Sequence, residues 1–258
     1  MSISFKGKVV LVSGGSSGLG GATAKRFGRL GANVAIAHKN IPGDTIEEVV
    51  AEISKFSTPL VIECDLTDSK QIEHVVNQTV KHFGKIDVLV NAAGILQNGS
   101  IENTTLEMFD KVMNINVRAM FEMIRVCTPH LIKTQGAIVN ISSVTGLRAF
   151  PGVLAYCISK SAVDQLTRCV ALELASKQVR CNSVNPGVID TILHKRSGLN
   201  DEQYKAFLEK SRLTHALGRA GTAEEVASGI TFLANTDASF VTGNNFRIDG
   251  GRGIMCPR

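Results

Sequence analysis

The chain has 258 residues, 44% of them hydrophobic, and a formal net charge of +5, which allows one large buried core and suits an anionic small-molecule ligand. No apolar run approaches the ~18 residues of a membrane span, and the basic residues are too scattered for a nucleic-acid patch, so neither a membrane nor nucleic acid is an expected partner. Six cysteines, Cys64, Cys127, Cys157, Cys169, Cys181 and Cys256, show no C-x-x-C spacing, which argues against a metal site and against a disulfide framework.

Met1 to Lys8 runs almost directly into an apolar strand and leaves no room for a signal peptide, so a cytoplasmic protein with reduced thiols is expected. Strand-like runs follow at Val9 to Val12, Val34 to Ala37, Leu60 to Cys64, Val88 to Val90, Ala137 to Ile141, Val179 to Val184 and Asn245 to Ile248. Helical-period segments separate them near 19–30, 44–56, 69–83, 105–133, 155–177 and 222–235. Such alternation predicts parallel strands joined by crossover helices, and continuous apolar runs predict strands covered on both faces. The expected fold is α/β, a single-domain doubly wound parallel sheet of about seven strands spanning residues 1–258. One segment, 190–217, is polar, charged and helix-prone, and it leaves a strand end on the side where open α/β sheets bind ligands. It is expected to be a substrate-loop insertion.

Three groups of residues carry chemistry. The turn Gly14-x-x-x-Gly18-x-Gly20 ends the first strand and opens the first helix. Glycines there permit positive φ and the close approach of a pyrophosphate, whose charge is favoured at a helix N-terminus. Tyr156 and Lys160 lie one helical turn apart on one face, with Ser143 upstream. A phenol loses its proton near pH ~10. A neighbouring ammonium is expected to lower that value and let the tyrosine exchange a proton with a substrate oxygen while a nicotinamide carries the hydride. Cys157, beside the tyrosine, reads either as a reactive thiol or as a small packed side chain.

The glycine turn, Asn91-Ala92-Ala93-Gly94, Asn116, Ser143, Tyr156-Cys157-Ile158-Ser159-Lys160 and Asn185-Pro186-Gly187 together resemble the short-chain dehydrogenase/reductase family, in that family's order and over nearly the whole chain. The resemblance implies a seven-stranded Rossmann sheet. It implies that Tyr156 is the acid/base, that Lys160 lowers its pKa and binds the nicotinamide ribose, and that Ser143 holds the substrate oxygen. Asn116 would bend its helix and hold a water linking Lys160 to solvent. For the cofactor, it implies Gly14, Ser16, Gly18 and Leu19 around the pyrophosphate, Asp65 and Leu66 beside the adenine, and Asn91 and Gly94 near the adenosine ribose. Ile189 and Thr191, following Pro186 and Gly187, would meet the carboxamide. Ser13 in place of the common threonine and Ala92 in place of a frequent second asparagine are mild departures. Members are usually dimers or tetramers, and a homotetramer is expected through the helices near 105–133 and 155–177. The run Val163, Leu166, Val170 and Leu174 would then be buried at that interface or on the chain's own sheet.

Cofactor choice turns on Ala37-His38-Lys39-Asn40, at the end of the second strand. A carboxylate there binds the ribose 2′-hydroxyl, whereas a cation accommodates the 2′-phosphate. His38 stands where the carboxylate would be and Lys39 supplies a cation, so NADP(H) is expected. The expected function is NADPH-dependent reduction of a small ketone or aldehyde to an alcohol. Alternatives are a 3-oxoacyl-thioester reductase, a steroid or sugar-alcohol dehydrogenase, and a catalytically silent NADP-sensing scaffold. Leu172, where carrier-docking relatives tend to have arginine, disfavours the first, and the presence of Asn116, Ser143, Tyr156 and Lys160 disfavours the scaffold. Leu147, Phe150, Val153 and Leu154, with Ile192, Leu193, Leu199, Tyr204, Phe207, Leu208 and Leu213, predict a largely apolar pocket for medium-sized apolar carbonyls.

Overall fold

In the computed structural model, which describes residues 3–41 and 44–256, seven strands form one sheet: β1 (Val9–Ser13), β2 (Asn33–His38), β3 (Leu60–Glu63), β4 (Val88–Asn91), β5 (Ala137–Ile141), β6 (Arg180–Pro186) and β7 (Asn245–Ile248). Their order is β3-β2-β1-β4-β5-β6-β7, and every pairing is parallel. The chain builds outward from β1 through β2 and β3, then returns to lay β4 on the other side of β1. That reversal opens a crevice beyond the carboxyl ends of β1 and β4.

Alternation along each strand feeds two apolar layers. Val10 and Val12 of β1 point into one, with Phe27 of α1 (Gly18–Arg29), Ile53 of α2 (Ile46–Ile53) and Ile230 of α10 (Ala223–Ala234). Leu11, between them, points into the other, with Val76 of α3 (Ser69–Phe83), Met123 of α5 (Ala119–Thr134) and Val163 of α7 (Leu154–Ala175). All five residues of β1 and all five of β5 are buried, as strands covered on both faces must be. Val163, Leu166, Val170 and Leu174 pack into this second layer, so that run is used within the chain's own core.

The helix expected over 105–133 is divided. It consists of α4 (Leu106–Met113), a π turn at Asn114–Arg118, and α5. A π turn carries one extra residue per turn and locally widens the helix. The 190–217 segment folds into α8 (Leu193–Arg196) and α9 (Asp201–Thr214), the latter started by a capping box between Asn200 and Gln203. A short helix, α6 (Val144–Leu147), follows β5. Among the described residues no helix is long and apolar enough to cross a membrane.

Candidate active site

The glycine turn leaves β1 with Gly14 at φ +65°, where a Cβ would lie 2.7 Å from the Ala93 backbone. Gly18 also has positive φ, and a Cβ on Gly20 would collide with the Gly14 carbonyl. Side chains are thus excluded where the turn must stay tight. Ser17, the N-cap of α1, makes no side-chain cap bond, and the first turn holds no acidic residue. Because Gly14 and Ser16 to Gly20 line the central cavity, the helix offers it open N–H groups and the positive end of its dipole. A dinucleotide's pyrophosphate fits such an end without further help.

The cavity encloses about 1100 Å³. Of the residues expected at the cofactor, Gly94, His38, Lys39, Asp65, Leu66, Pro186, Gly187, Ile189 and Thr191 also line it. Asn91 does not. The sheet register sets it opposite Asn140, and its Nδ2 donates to Asn140 Oδ1 at 2.9 Å, whose own amide reaches Thr167 at 3.0 Å. Lys39, at the end of β2, is 2.6 Å from Asp65, and that bond, with those from Thr67, holds the Asp65 carboxyl near 2. His38 Nδ1 lies 3.3 Å from Asp44.

Ser143, Tyr156 and Lys160 meet on the cavity wall below β5. Ser143 caps α6, its Oγ accepting from Thr145 N at 3.1 Å. Burial pushes the Tyr156 phenol up to about 12, against the opposing effect of a hydrogen bond with Ser143. Lys160 is driven down to about 8 by burial, opposed by the nearby Asp164 carboxylate. The expected lowering of the tyrosine by the lysine is absent here. Lys160 Nζ donates to the Ile141 carbonyl at 2.7 Å and sits 5.6 Å from the Tyr156 ring centre, and burial is the largest influence on the phenol. Cys157 is buried, its thiol directed at the Phe150 carbonyl at 3.9 Å.

Asn116 stands behind this wall, in the π turn. Its Oδ1 accepts from Ile95 N at 2.8 Å, and its Nδ2 donates to the Ile95 carbonyl at 2.9 Å and Ser159 Oγ at 3.0 Å. A Cβ on Gly94 would lie 3.3 Å from Asn116 Oδ1 and 3.6 Å from Lys160 Nζ, so the two residues flank one glycine.

Asp164 and His215 carry no motif and escaped the sequence reading, and Asn185 and Tyr204 take supporting roles that it did not assign. Asp164 is buried one turn beyond Lys160 and accepts from Asn185 Nδ2 at 3.0 Å on each oxygen. Asn185 also donates to the Ser143 carbonyl at 2.9 Å. A carboxylate on the apolar side of a long helix was the available signal. His215 Nε2 accepts from Val188 N at 3.0 Å, which leaves the proton on Nδ1 to reach the Ser211 carbonyl at 3.1 Å. Tyr204 accepts from Thr191 N at 3.0 Å and donates to Asp190 at 2.5 Å, so it braces the Thr191 backbone.

The part of the cavity expected to take substrate differs from the apolar pocket expected. Phe150, Val153, Ile192, Leu193, Phe207 and Leu213 do line it, with Leu199, whereas Leu147, Leu154, Tyr204 and Leu208 do not. Arg148, Lys210 and Arg252 join the wall. Arg196 of α8 donates to Ser17 Oγ at 3.3 Å, tying α8 to the glycine turn.

A family model described as enoyl-(acyl carrier protein) reductase matches residues 14–252. The chain belongs to the short-chain dehydrogenase/reductase family. It is 36% identical over 247 residues to the meso-2,3-butanediol dehydrogenase of Serratia marcescens, covering 96% of this chain and 95% of the relative. It is 38% identical over 253 residues to a 3-oxoacyl-[acyl-carrier-protein] reductase of Thermotoga maritima, covering 96% and 98%. A short-chain dehydrogenase/reductase of unknown function from Caenorhabditis elegans, solved with cofactor, matches its fold with a TM-score of 0.92 at 34% identity, covering 98% of this chain and 97% of that one. As a short-chain dehydrogenase/reductase, the chain is an oxidoreductase of CH–OH groups and their carbonyls, in a family that uses nicotinamide cofactors.

Proposed function

We propose that this chain is an NADPH-dependent reductase of ketones or aldehydes. The observation that carries the proposal is the convergence of Ser143, Tyr156 and Lys160 on the same cavity as the open N-terminus of α1. When bound, the nicotinamide supplies the hydride. Tyr156, a phenol protonated at neutral pH and made harder to ionise by burial, donates its proton to the carbonyl oxygen, and Ser143 orients that oxygen. Lys160, bonded to the Ile141 carbonyl, places a positive charge where the ribose and the developing phenolate both benefit. Asn116 fixes the Ile95 backbone beside them and, by family likeness, holds the water that links Lys160 to solvent.

For the cofactor, the absence of a carboxylate at His38 and the presence of Lys39 support NADP(H). The Lys39–Asp65 bond at 2.6 Å favours a second reading, NAD(H), because a 2′-phosphate must share its cation with a carboxylate. The likeness to a 3-oxoacyl-[acyl-carrier-protein] reductase supports a thioester substrate less well, since the carrier-docking arginine of such relatives is here an exposed Leu172. Exposed Phe121 on α5 and Leu172 on α7 support a homotetramer joined through these helices. All six cysteines are free, which supports a cytoplasmic location.

The test is NADPH and NADH oxidation with a panel of dicarbonyls, quinones, acyl thioesters and steroids. Saturable oxidation with at least one carbonyl is expected. Failure of both cofactors with every compound, by protein that binds them, would sink the proposal.

A further inference from the structure

The substrate end of the cavity is walled by cations without matching anions. Arg148, Lys210 and Arg252 line it, and none of the three belongs to an ion pair among the described residues. The one acidic side chain among the described residues of the wall is Asp65, at the carboxyl end of β3 and already bonded to Lys39. The cations therefore have no partner supplied by the pocket itself.

Arg252 is the most constrained of them. Its guanidinium lies over the Phe150 ring, 5.0 Å from the centre, and Nη1 donates to Thr214 Oγ1 at 2.6 Å. Of the five N–H donors a guanidinium carries, that is the use made of them among the described residues. Asp249 attracts Arg252 from a distance, but its oxygens are bonded to Gly251 N at 3.0 Å and Gly253 N at 2.7 Å. Those two bonds shape the turn that presents the arginine. Burial and the charge of Arg148 both work against the Arg252 cation. A half-buried cation beside another cation costs stability unless an anion offsets it.

The turn is also fastened to the catalytic wall. Arg148 Nη1 donates to the carbonyls of Gly253 and Met255, each at 3.1 Å. A Cβ on Gly253 would lie 3.4 Å from a methyl of Val144, the residue after Ser143. Phe150, under the guanidinium, belongs to the segment joining Ser143 to Tyr156, and its carbonyl faces the Cys157 thiol. The arginine and the proposed proton donor are therefore held by one short stretch of chain.

We infer that the substrate is bifunctional, with a carbonyl or hydroxyl at Tyr156 and a tethered oxyanion, a carboxylate, sulfonate or phosphate, bound by Arg252. Arg148 acts as a positioning residue that pins the Arg252 turn and adds to its field. The planar fork of arginine suits two oxygens of one oxyanion, and the apolar side chains between it and Tyr156 suit the hydrocarbon that joins the two groups. This deepens the carbonyl reductase reading and rests on it for the reacting end only.

The test uses oxo-carboxylates, oxo-sulfonates and oxo-phosphonates of graded chain length, each beside its neutral ester. Steady-state reduction and calorimetric binding to the protein saturated with NADPH are both measured. At least one anion is expected to bind about tenfold or more tighter than its ester, the scale of a charge-assisted hydrogen bond. Arg252→Gln should abolish that preference, lowering the anion's affinity to that of its ester, and Arg252→Lys should restore part of it. The arm with the largest preference identifies the oxyanion. Equal binding of every anion and its ester, or a preference that survives Arg252→Gln, overturns the inference. Anion-selective binding without turnover of any compound would leave the anion site standing and refute the reductase reading instead.

Discussion

The side-chain amide of Asn185 donates to the Ser143 carbonyl at 2.9 Å while also meeting both oxygens of the buried Asp164 carboxylate. The residue before Pro186 thereby sets the backbone that carries the proposed substrate-orienting hydroxyl. Asn185→Ala strips donors from a buried carboxylate and should cost about 1–3 kcal/mol in urea unfolding, with kcat lowered more than KM is raised. Adding Asp164→Ala should recover part of the stability and none of the kcat, because it removes the stranded charge without repositioning Ser143. An Asn185→Ala protein with wild-type kcat would show that Ser143 is held by other means.

Tyr156→Phe removes one oxygen from the cavity wall. Turnover should fall by about 10² or more, the scale of general acid catalysis, with NADPH affinity nearly unchanged. Single-turnover measurements make chemistry visible. Retention of roughly a tenth of the wild-type rate under those conditions contradicts proton donation by the phenol.

Lys39 and Asp65 form a pair that a 2′-phosphate has to enter. NADPH is expected to bind about tenfold more tightly than NADH, a difference of about 1.4 kcal/mol. Lys39→Ala should narrow the gap by weakening NADPH alone. Asp65→Asn should widen it, since the lysine is then released from its carboxylate. Equal binding of the two cofactors by the wild type would favour the NAD(H) reading.

His215 gives the fold a dependence on mildly acidic pH. Desolvation, aided by Arg252, lowers its pKa below 6.5, and Nε2 must stay unprotonated to accept from Val188 N. The unfolded chain then binds more protons than the folded one as pH falls through the ordinary histidine range near ~6.5, so this contribution is complete above that range and declines below it. His130 and His194 are lowered too and act in the same direction. Replacing His215 with Gln should flatten the decline in melting temperature between neutral pH and the range just below the histidine pKa. An unchanged decline would assign it to the other two histidines.

The order of elements, the covering of strands on both faces and the sites of greatest backbone demand were legible in the sequence alone. They are local properties: Val10, Leu11 and Val12 announce a doubly buried strand, and Gly14 and Gly20 mark places where a Cβ meets backbone. The spacing of Tyr156 and Lys160 on one helix is local as well. What the charges do was decided by tertiary structure. Lys160 bonds a carbonyl of β5, Lys39 a carboxylate just past the end of β3, and Asp164 an amide of β6, and in each case the partner comes from a different part of the fold. Burial then makes the Tyr156 phenol harder to ionise. Arg252 was invisible for the same reason. An isolated arginine near a chain end reads as a solvated charge until the fold lays it over Phe150, beside Arg148, on the wall that holds Ser143.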